Sequence, residues 1–203
     1  MTRRIGQHHG ELRAALLREA LKLLQAGDHS FSLRTLAKRA GVAPSAPYHH
    51  FVDREGLFAT LATEGFEALR IALDEALDGL ESTEQRLPAL VSAYIDFAEG
   101  HIAHYRVMFQ PGLSREKHPN LDSMARRAFS RLAEEVGLVA GKDTDPDEVL
   151  GRAAAIWAMA HGVAQLLGDG AFEALEVEDT MSTRASRVAL AIARGLAPGA
   201  DVL

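Results

Sequence analysis

Ser-Leu-Arg-Thr-Leu-Ala-Lys-Arg-Ala-Gly-Val-Ala-Pro-Ser-Ala-Pro-Tyr-His-His-Phe-Val-Asp-Arg-Glu-Gly-Leu-Phe, residues 32–58, decides the fold. Ser32 stands before Leu33 as an N-cap for a short helix of about two turns, and Gly41 ends it. A second short helix is predicted over 45–51. Asp53, Arg54 and Glu55 then open a much longer one, where acidic side chains suit the positive end of the helix dipole. Two short helices joined by a tight turn cross closely only if the contact residue is small and the turn can enter the left-handed region. Ala37 meets the first need; Gly41, with no Cβ to clash at positive φ, meets the second. Leu36 and Val42 fill the shared core, and Phe51 closes the far end of the second helix. This is the pattern of a helix-turn-helix, whose second helix presents its exposed side chains to a major groove.

The second helix offers Ser45, Ala46, Tyr48, His49 and His50. That is an odd set for a solvated face and a sensible one for DNA. Serine and tyrosine hydroxyls bind phosphates, a small alanine permits close approach or contact with a thymine methyl, and histidine reaches a phosphate or a base edge. Pro47 falls in the first turn, where its missing N–H costs little. Arg34 and Arg54 are expected to clamp backbone phosphates on either side, with Thr35 adding a hydroxyl. The plainer reading is a helical hairpin inside an all-α core, since this spacing alone is a weak pattern.

Helical periodicity continues outward in both directions. Leu12, Leu16, Ala20 and Leu23 predict an amphipathic helix over 11–26 that stops at Gly27. Phe58, Leu61, Phe66, Leu69, Leu73 and Leu77 carry the long helix to about Leu80. Leu87, Leu90, Val91, Tyr94 and Phe97 mark the next, continued by a short piece from His104 to Phe109. Residues 110–119 read as a loop. Asn120 is expected to cap a helix containing Leu121, Met124, Ala128, Leu132 and Val136. Asp145 and Pro146 start another over 147–167, whose apolar residues nearly encircle it, so burial on most sides is expected. A last helix is predicted over 181–196. The fold class is therefore all-α, with about nine helices, no convincing strand and no repeat.

With 203 residues, 47% hydrophobic and 25% charged, the composition is that of an ordinary globular protein. No cysteine is present, which excludes disulfides, zinc ribbons and a cysteine nucleophile. The longest apolar run, Ala153 to Ala160, falls far short of the about 20 residues that cross a bilayer. The opening Met-Thr-Arg-Arg leads into an amphipathic pattern and not a signal-peptide core, so no export, no membrane and a cytoplasmic location are expected. Charge is unevenly spread: residues 1–60 carry +4 and residues 61–203 carry −10. A basic head and an acidic body orient an approach to a polyanion.

The segment 32–58 resembles the DNA-binding domain of the TetR family of transcriptional regulators. The matching elements are Ala37, Gly41-Val42, Tyr48-His49-His50-Phe51 and Asp53-Arg54-Glu55-Gly56-Leu57-Phe58. Pro47 replaces the leucine or isoleucine common before the tyrosine, as in a subset where Ala-Pro-Tyr is usual. The remainder resembles the branch named for its Trp-His-Gly residues, through Trp157, His161-Gly162 and the run His101 to Phe109, in which Ile102 stands where proline is common. The resemblance implies a helix-turn-helix domain over 1–54 and a ligand-binding and dimerisation domain over 55–203. It also implies a homodimer packed through 147–167 and 181–196. Such a dimer would repress from a near-palindromic operator in double-stranded DNA, with the helix from 55 to 80 as lever. Release would follow binding of a small hydrophobic or aromatic effector. Residues expected to line its pocket are Phe66, Tyr94, Phe97, Tyr105, Met108, Phe109, Phe129, Trp157 and His161. Such residues at helical spacing are more often core than ligand contacts, and His161 is read first as a hydrogen-bonded core histidine.

His101 and His104 share a helical face, yet no HExxH or His-rich hairpin accompanies them, and no metal or cofactor is expected. No GxSxG elbow, Gly-rich phosphate loop or framed carboxylate pair is present, so catalysis is not expected. The competing class is a helical small-molecule enzyme or binding protein with a vestigial head.

Overall fold

The computed structural model describes residues 5–171. Among them all regular structure is helical, in seven α-helices and one 3₁₀ turn. These are α1 (Ile5–Gln25), α2 (Leu33–Arg39), the 3₁₀ turn (Ala46–His49), α3 (Arg54–Leu77), α4 (Thr83–Gly100), α5 (Ile102–Met108), α6 (Pro119–Ala140) and α7 (Pro146–Gly168). The expected all-α class holds. Of the nine helices predicted, the one at 45–51 is a single 3₁₀ turn and the one at 181–196 lies outside the described residues. No helix among the described residues is long and apolar enough to cross a membrane.

Two compact units form. The first holds the residues through Gly65 together with Ala103–Asp122; the second holds Phe66–Ile102 and the residues from Ser123 on. In the first, Leu16, Leu24, Leu36, Ala37, Leu57, Leu61 and Ala62 are fully buried, which is the periodic apolar stripe of α1, α2 and the start of α3 closing on itself. Helix α5 joins this unit, and Gly65 shows how. A Cβ there would stand 2.7 Å from Met108 Sδ and 3.2 Å from His104 Cβ, so the glycine allows α5 to lie against α3.

The core of the second unit comprises Phe66, Leu69, Leu73 and Leu77 of α3, Leu90, Val91 and Ile95 of α4, Ala125, Ala128 and Val136 of α6, and Ala153, Ile156, Ala160, Ala164 and Leu167 of α7. Inside it lies a polar network. Glu135, 1% exposed, receives hydrogen bonds of 2.6 Å from both Nε and Nη2 of Arg86. It also pairs with Arg131 at 2.8 Å. Arg131 Nε reaches Asp74 at 2.8 Å, Asp74 pairs with Arg70, and Arg86 Nη1 donates to the Leu80 carbonyl at 2.6 Å. These bonds tie α3, α4 and α6 together. Arg86 holds the Glu135 carboxyl below the usual carboxylate range against the opposing effect of burial, with Arg131 assisting.

Side-chain caps start α2 and α7. Asp145 accepts the Asp147 N–H at 2.8 Å with Pro146 next to it, as expected. Asn120, expected to cap α6, instead lies in its first turn: Pro119 begins the helix, and the His118 carbonyl accepts the first bond, from the Asp122 N–H at 3.2 Å. Helix α7 also departs from expectation. Only its Ala153–Ile156–Ala160–Ala164–Leu167 face is buried, because one stripe is all that its packing on α4 covers. Leu150, Met159 and Leu166 are exposed on the rest of the helix, with Ala154, Ala155 and Ala158 between them.

Candidate nucleic-acid interface

Helix α2 is closed at both ends by local chemistry. The Ser32 hydroxyl accepts the Thr35 N–H at 3.1 Å and lies 3.0 Å from the Thr35 hydroxyl. At the other end the Val42 N–H bonds the Ala37 carbonyl at 3.0 Å and the Gly41 N–H bonds Lys38 at 3.3 Å. This double closure requires a left-handed residue, and Gly41 has φ +69°.

The next element is tighter than the predicted helix. Pro47 has no N–H to give, so the bond to Ala43 O that an α-helix begun at Pro44 would close from it cannot form. The chain closes i to i+3 instead, from Ala46 N to Ala43 O at 2.9 Å and from Tyr48 N to Ser45 O at 3.1 Å, before Phe51 N returns to Pro47 O at 2.9 Å. Pro47 and Phe51 point into the core. Tyr48, 52% exposed, and His49 point out, as does Ser45; Ala46 and His50 are half-buried, with the His50 ring 6.3 Å from that of Phe51.

On α2, which packs against this turn, Arg34 and Thr35 are exposed. Residue types alone did not single out Lys38, which sits one turn after Arg34 on the same exposed face. Among the described residues neither cation has an ion-pair partner. The neighbouring cations do: Arg39 and Lys22 both pair with Glu19, at 3.2 and 2.7 Å, and Arg13 pairs with Glu64 at 3.6 Å. The Lys22 hydrogen bond, with Arg39 beside it, holds the Glu19 carboxyl below its ordinary range. Val52, 90% exposed beyond the turn, was also missed, because an isolated valine carries no sequence signal of its exposure.

Arg54 does not join the exposed set. Its guanidinium stands 4.4 Å from the Phe58 ring centre and 5.8 Å from that of Phe31, it donates to the His29 carbonyl, and its Nε is buried. The side chain expected to reach a phosphate is turned into the fold, because two aromatic faces and a carbonyl offer it more than solvent does.

The residues expected to line a pocket divide between the units. Tyr105 and Phe109, edge to face at 5.1 Å, and Met108 are in the first. Phe66, Tyr94, Phe97, Phe129, Trp157 and His161 are in the second. Four of these meet. Phe129 and Trp157 are edge to face at 6.1 Å, the Trp157 indole N–H donates to the Tyr94 hydroxyl at 3.3 Å, and that hydroxyl lies 3.0 Å from His161 Nδ1. The indole can only donate, so the hydroxyl accepts it, and with its remaining capacity it shares a hydrogen bond with Nδ1. Burial lowers the His161 pKa. His161 is thus half-buried and hydrogen-bonded to Tyr94. Phe97 stacks instead on His101, at 4.6 Å.

Two family models match the chain: bacterial regulatory proteins of the tetR family over residues 16–61, and the tetracyclin repressor-like C-terminal domain over 87–192. The transcriptional activator FasR of Mycolicibacterium smegmatis is 26% identical over 120 residues, 56% of this chain and 55% of its own. The transcriptional regulator BetI of Cronobacter sakazakii is 31% identical over 115 residues, 54% of this chain and 57% of its own. The match thus spans about half the length of each of these curated relatives. Among solved structures, a protein of unknown function from Rhodococcus sp. RHA1 is 30% identical with a TM-score of 0.77, covering 96% of this chain and all of that one.

Proposed function

We propose, since the chain belongs to the tetR family of bacterial regulatory proteins and is a DNA-binding transcriptional regulator, that it represses as a homodimer on a near-palindromic operator and leaves it when a small molecule binds. In this reading residues 1–54 read DNA, and 55–203 dimerise and bind the effector. Tyr48, Ser45 and His49 meet the duplex at the 3₁₀ turn, with Ala46 and His50 beside them, while Arg34 and Thr35, joined by Lys38, hold the phosphate backbone. The observation that carries the reading is the pair of cations Arg34 and Lys38, without an ion-pair partner among the described residues, beside an exposed Tyr48 and His49, within residues 1–60 of net charge +4.

One four-residue turn spans only a few base pairs, so useful affinity calls for two half-sites about one helical turn apart. The exposed apolar stripe of α7 supports the second copy. For the effector, the ring cluster of Phe129, Trp157, Tyr94 and His161 favours a hydrophobic or aromatic molecule able to exchange hydrogen bonds with Tyr94 or His161. Such a ligand empties the operator only by as much as it prefers the released arrangement.

The test is a mobility-shift titration with the DNA flanking the coding sequence at two salt concentrations, alongside a scrambled duplex. The reading expects a preference of about a thousandfold or more. Equal, sequence-blind binding would overturn it. A promoter fusion tests the sign: removal of the gene should raise expression, and a fall would make this an activator, as FasR is named.

A further inference from the structure

We propose that Arg54 is a positioning residue: it fixes the attitude of the recognition turn from inside the fold and holds no DNA phosphate. The inference rests on the DNA-binding reading above and refines which of its residues touch the duplex.

The turn is strung between two anchors. Upstream is α2, which begins one residue after Ser32; downstream is α3, whose first residue is Arg54. Phe31, next to that Ser32 cap, and Phe58, one turn into α3, are buried and meet edge to face at 5.7 Å with a 70° angle between rings. Arg54 lies against both, nearer to Phe58, and donates to the carbonyl of His29 in the link before α2. One side chain therefore joins the approach to α2 to the start of α3, and the turn between them inherits its angle from that joint. Swinging out to a phosphate would forfeit two cation–π contacts and the carbonyl bond together. The exposed surface meanwhile already offers Arg34 and Lys38, which lose nothing by binding one.

The chemistry of the joint is specific to arginine. A planar guanidinium can present its face to Phe58 while its edge donates to a carbonyl; a lysine ammonium is a point charge and cannot do both. A phosphate contact has the opposite preference, since lysine serves there nearly as well.

The experiment uses the full chain, a duplex enriched by the wild type from a randomised pool, and a scrambled duplex of equal length. Dissociation constants are measured across a salt series for wild type, Arg54→Lys, Arg54→Met and, as a comparator, Arg34→Ala. Both Arg54 variants should lose about tenfold or more on the enriched duplex. They should keep wild-type affinity for the scrambled one and the wild-type salt slope. Arg34→Ala should weaken both duplexes and reduce the slope by about 0.9. Wild-type behaviour of Arg54→Lys with a slope loss in Arg54→Met would make Arg54 a phosphate ligand and overturn the proposal, as would wild-type discrimination in both. Partial unfolding lowers binding to the two duplexes equally, which separates damage from misalignment; if Arg54→Met does not fold, Arg54→Lys decides. Failure of the wild type to enrich any duplex sinks the DNA-binding reading itself, a distinct result that takes this inference with it.

Discussion

Glu135 and Arg86, forty-nine residues apart in sequence, meet through two hydrogen bonds of 2.6 Å with the carboxylate almost wholly withdrawn from water. A buried carboxylate held this way is costly to leave half-paired, because the remaining charge loses its partner and regains no solvent. Arg86→Met should therefore destabilise the chain by on the order of 3 kcal/mol, read as a fall in the denaturation midpoint. The pH dependence follows from the direction of the shift. Glu135 ionises below its unfolded range, so its contribution is complete above about pH 4.3 and is lost as acid carries it through the depressed folded value. A denaturation midpoint that is flat through this acid range in wild type, or identical in Arg86→Met, would contradict it.

Tyr94 is the hinge of the second polar site, accepting from Trp157 and hydrogen-bonded to His161 Nδ1. Tyr94→Phe removes both bonds and should cost about 1–3 kcal/mol. It should also change the titration of His161. Burial lowers that pKa, so the neutral ring contributes fully above about 6.5 and stability declines as pH falls through the lowered folded value. Imidazole signals followed by NMR should show His161 titrating below the ordinary imidazole range, and Tyr94→Phe should alter that titration, since the ring loses a hydrogen-bond partner. A His161 that titrates in the ordinary imidazole range in the wild type would contradict the lowering by burial.

The helix-turn-helix was legible because its determinants are local. A Ser32 hydroxyl reaching Thr35, a small Ala37 and a left-handed Gly41 act within ten residues, so the sequence carries them whole. The 3₁₀ turn was less so: Pro47 was read as tolerated in a first turn, and the i to i+3 closures from Ala46 and Tyr48 carry no sequence signal of their own. The network at Glu135 was not legible, because Arg131 four residues before it looks like an ordinary surface pair and Arg86 comes from another helix. The surroundings of Arg54 were hidden for the same reason. Its place at the start of the long helix suggested phosphate, while the rings that hold it come from positions 31 and 58. Folding decides which long side chains reach solvent, and composition is blind to that.

Lys38 gives the cleanest check on the phosphate assignments, since no sequence pattern nominated it. With Arg34 one turn away and neither paired among the described residues, each should release about one counterion on binding. Lys38→Ala should lower the slope of log K against log salt by about 0.9 and weaken binding to every duplex alike, and the double variant with Arg34→Ala by about twice that. Tyr48→Ala should lose affinity with little change of slope, because a hydroxyl on a phosphate displaces no cation. Unchanged slopes in both lysine and arginine variants would remove α2 from the interface.

Helix α7 leaves Leu150, Met159 and Leu166 exposed on the side away from its buried stripe, with the small Ala154, Ala155 and Ala158 between them, a surface that a second helix can approach closely. These side chains contribute little to the single chain, so replacing them tests association without removing its core. Met159→Glu together with Leu166→Glu places four carboxylates in a symmetric interface, two from each copy. Helix α7 should still form, and circular dichroism should be unchanged. Light scattering should report a single chain where the wild type gives a dimer. On DNA the variant should keep its scrambled-duplex affinity per chain but lose most of its preference for a two-half-site operator, because one turn reads too few base pairs to compete alone. A variant that remains dimeric would place the association surface elsewhere. A monomer that still selects the full operator would show that one head suffices, and the case for two half-sites would fall.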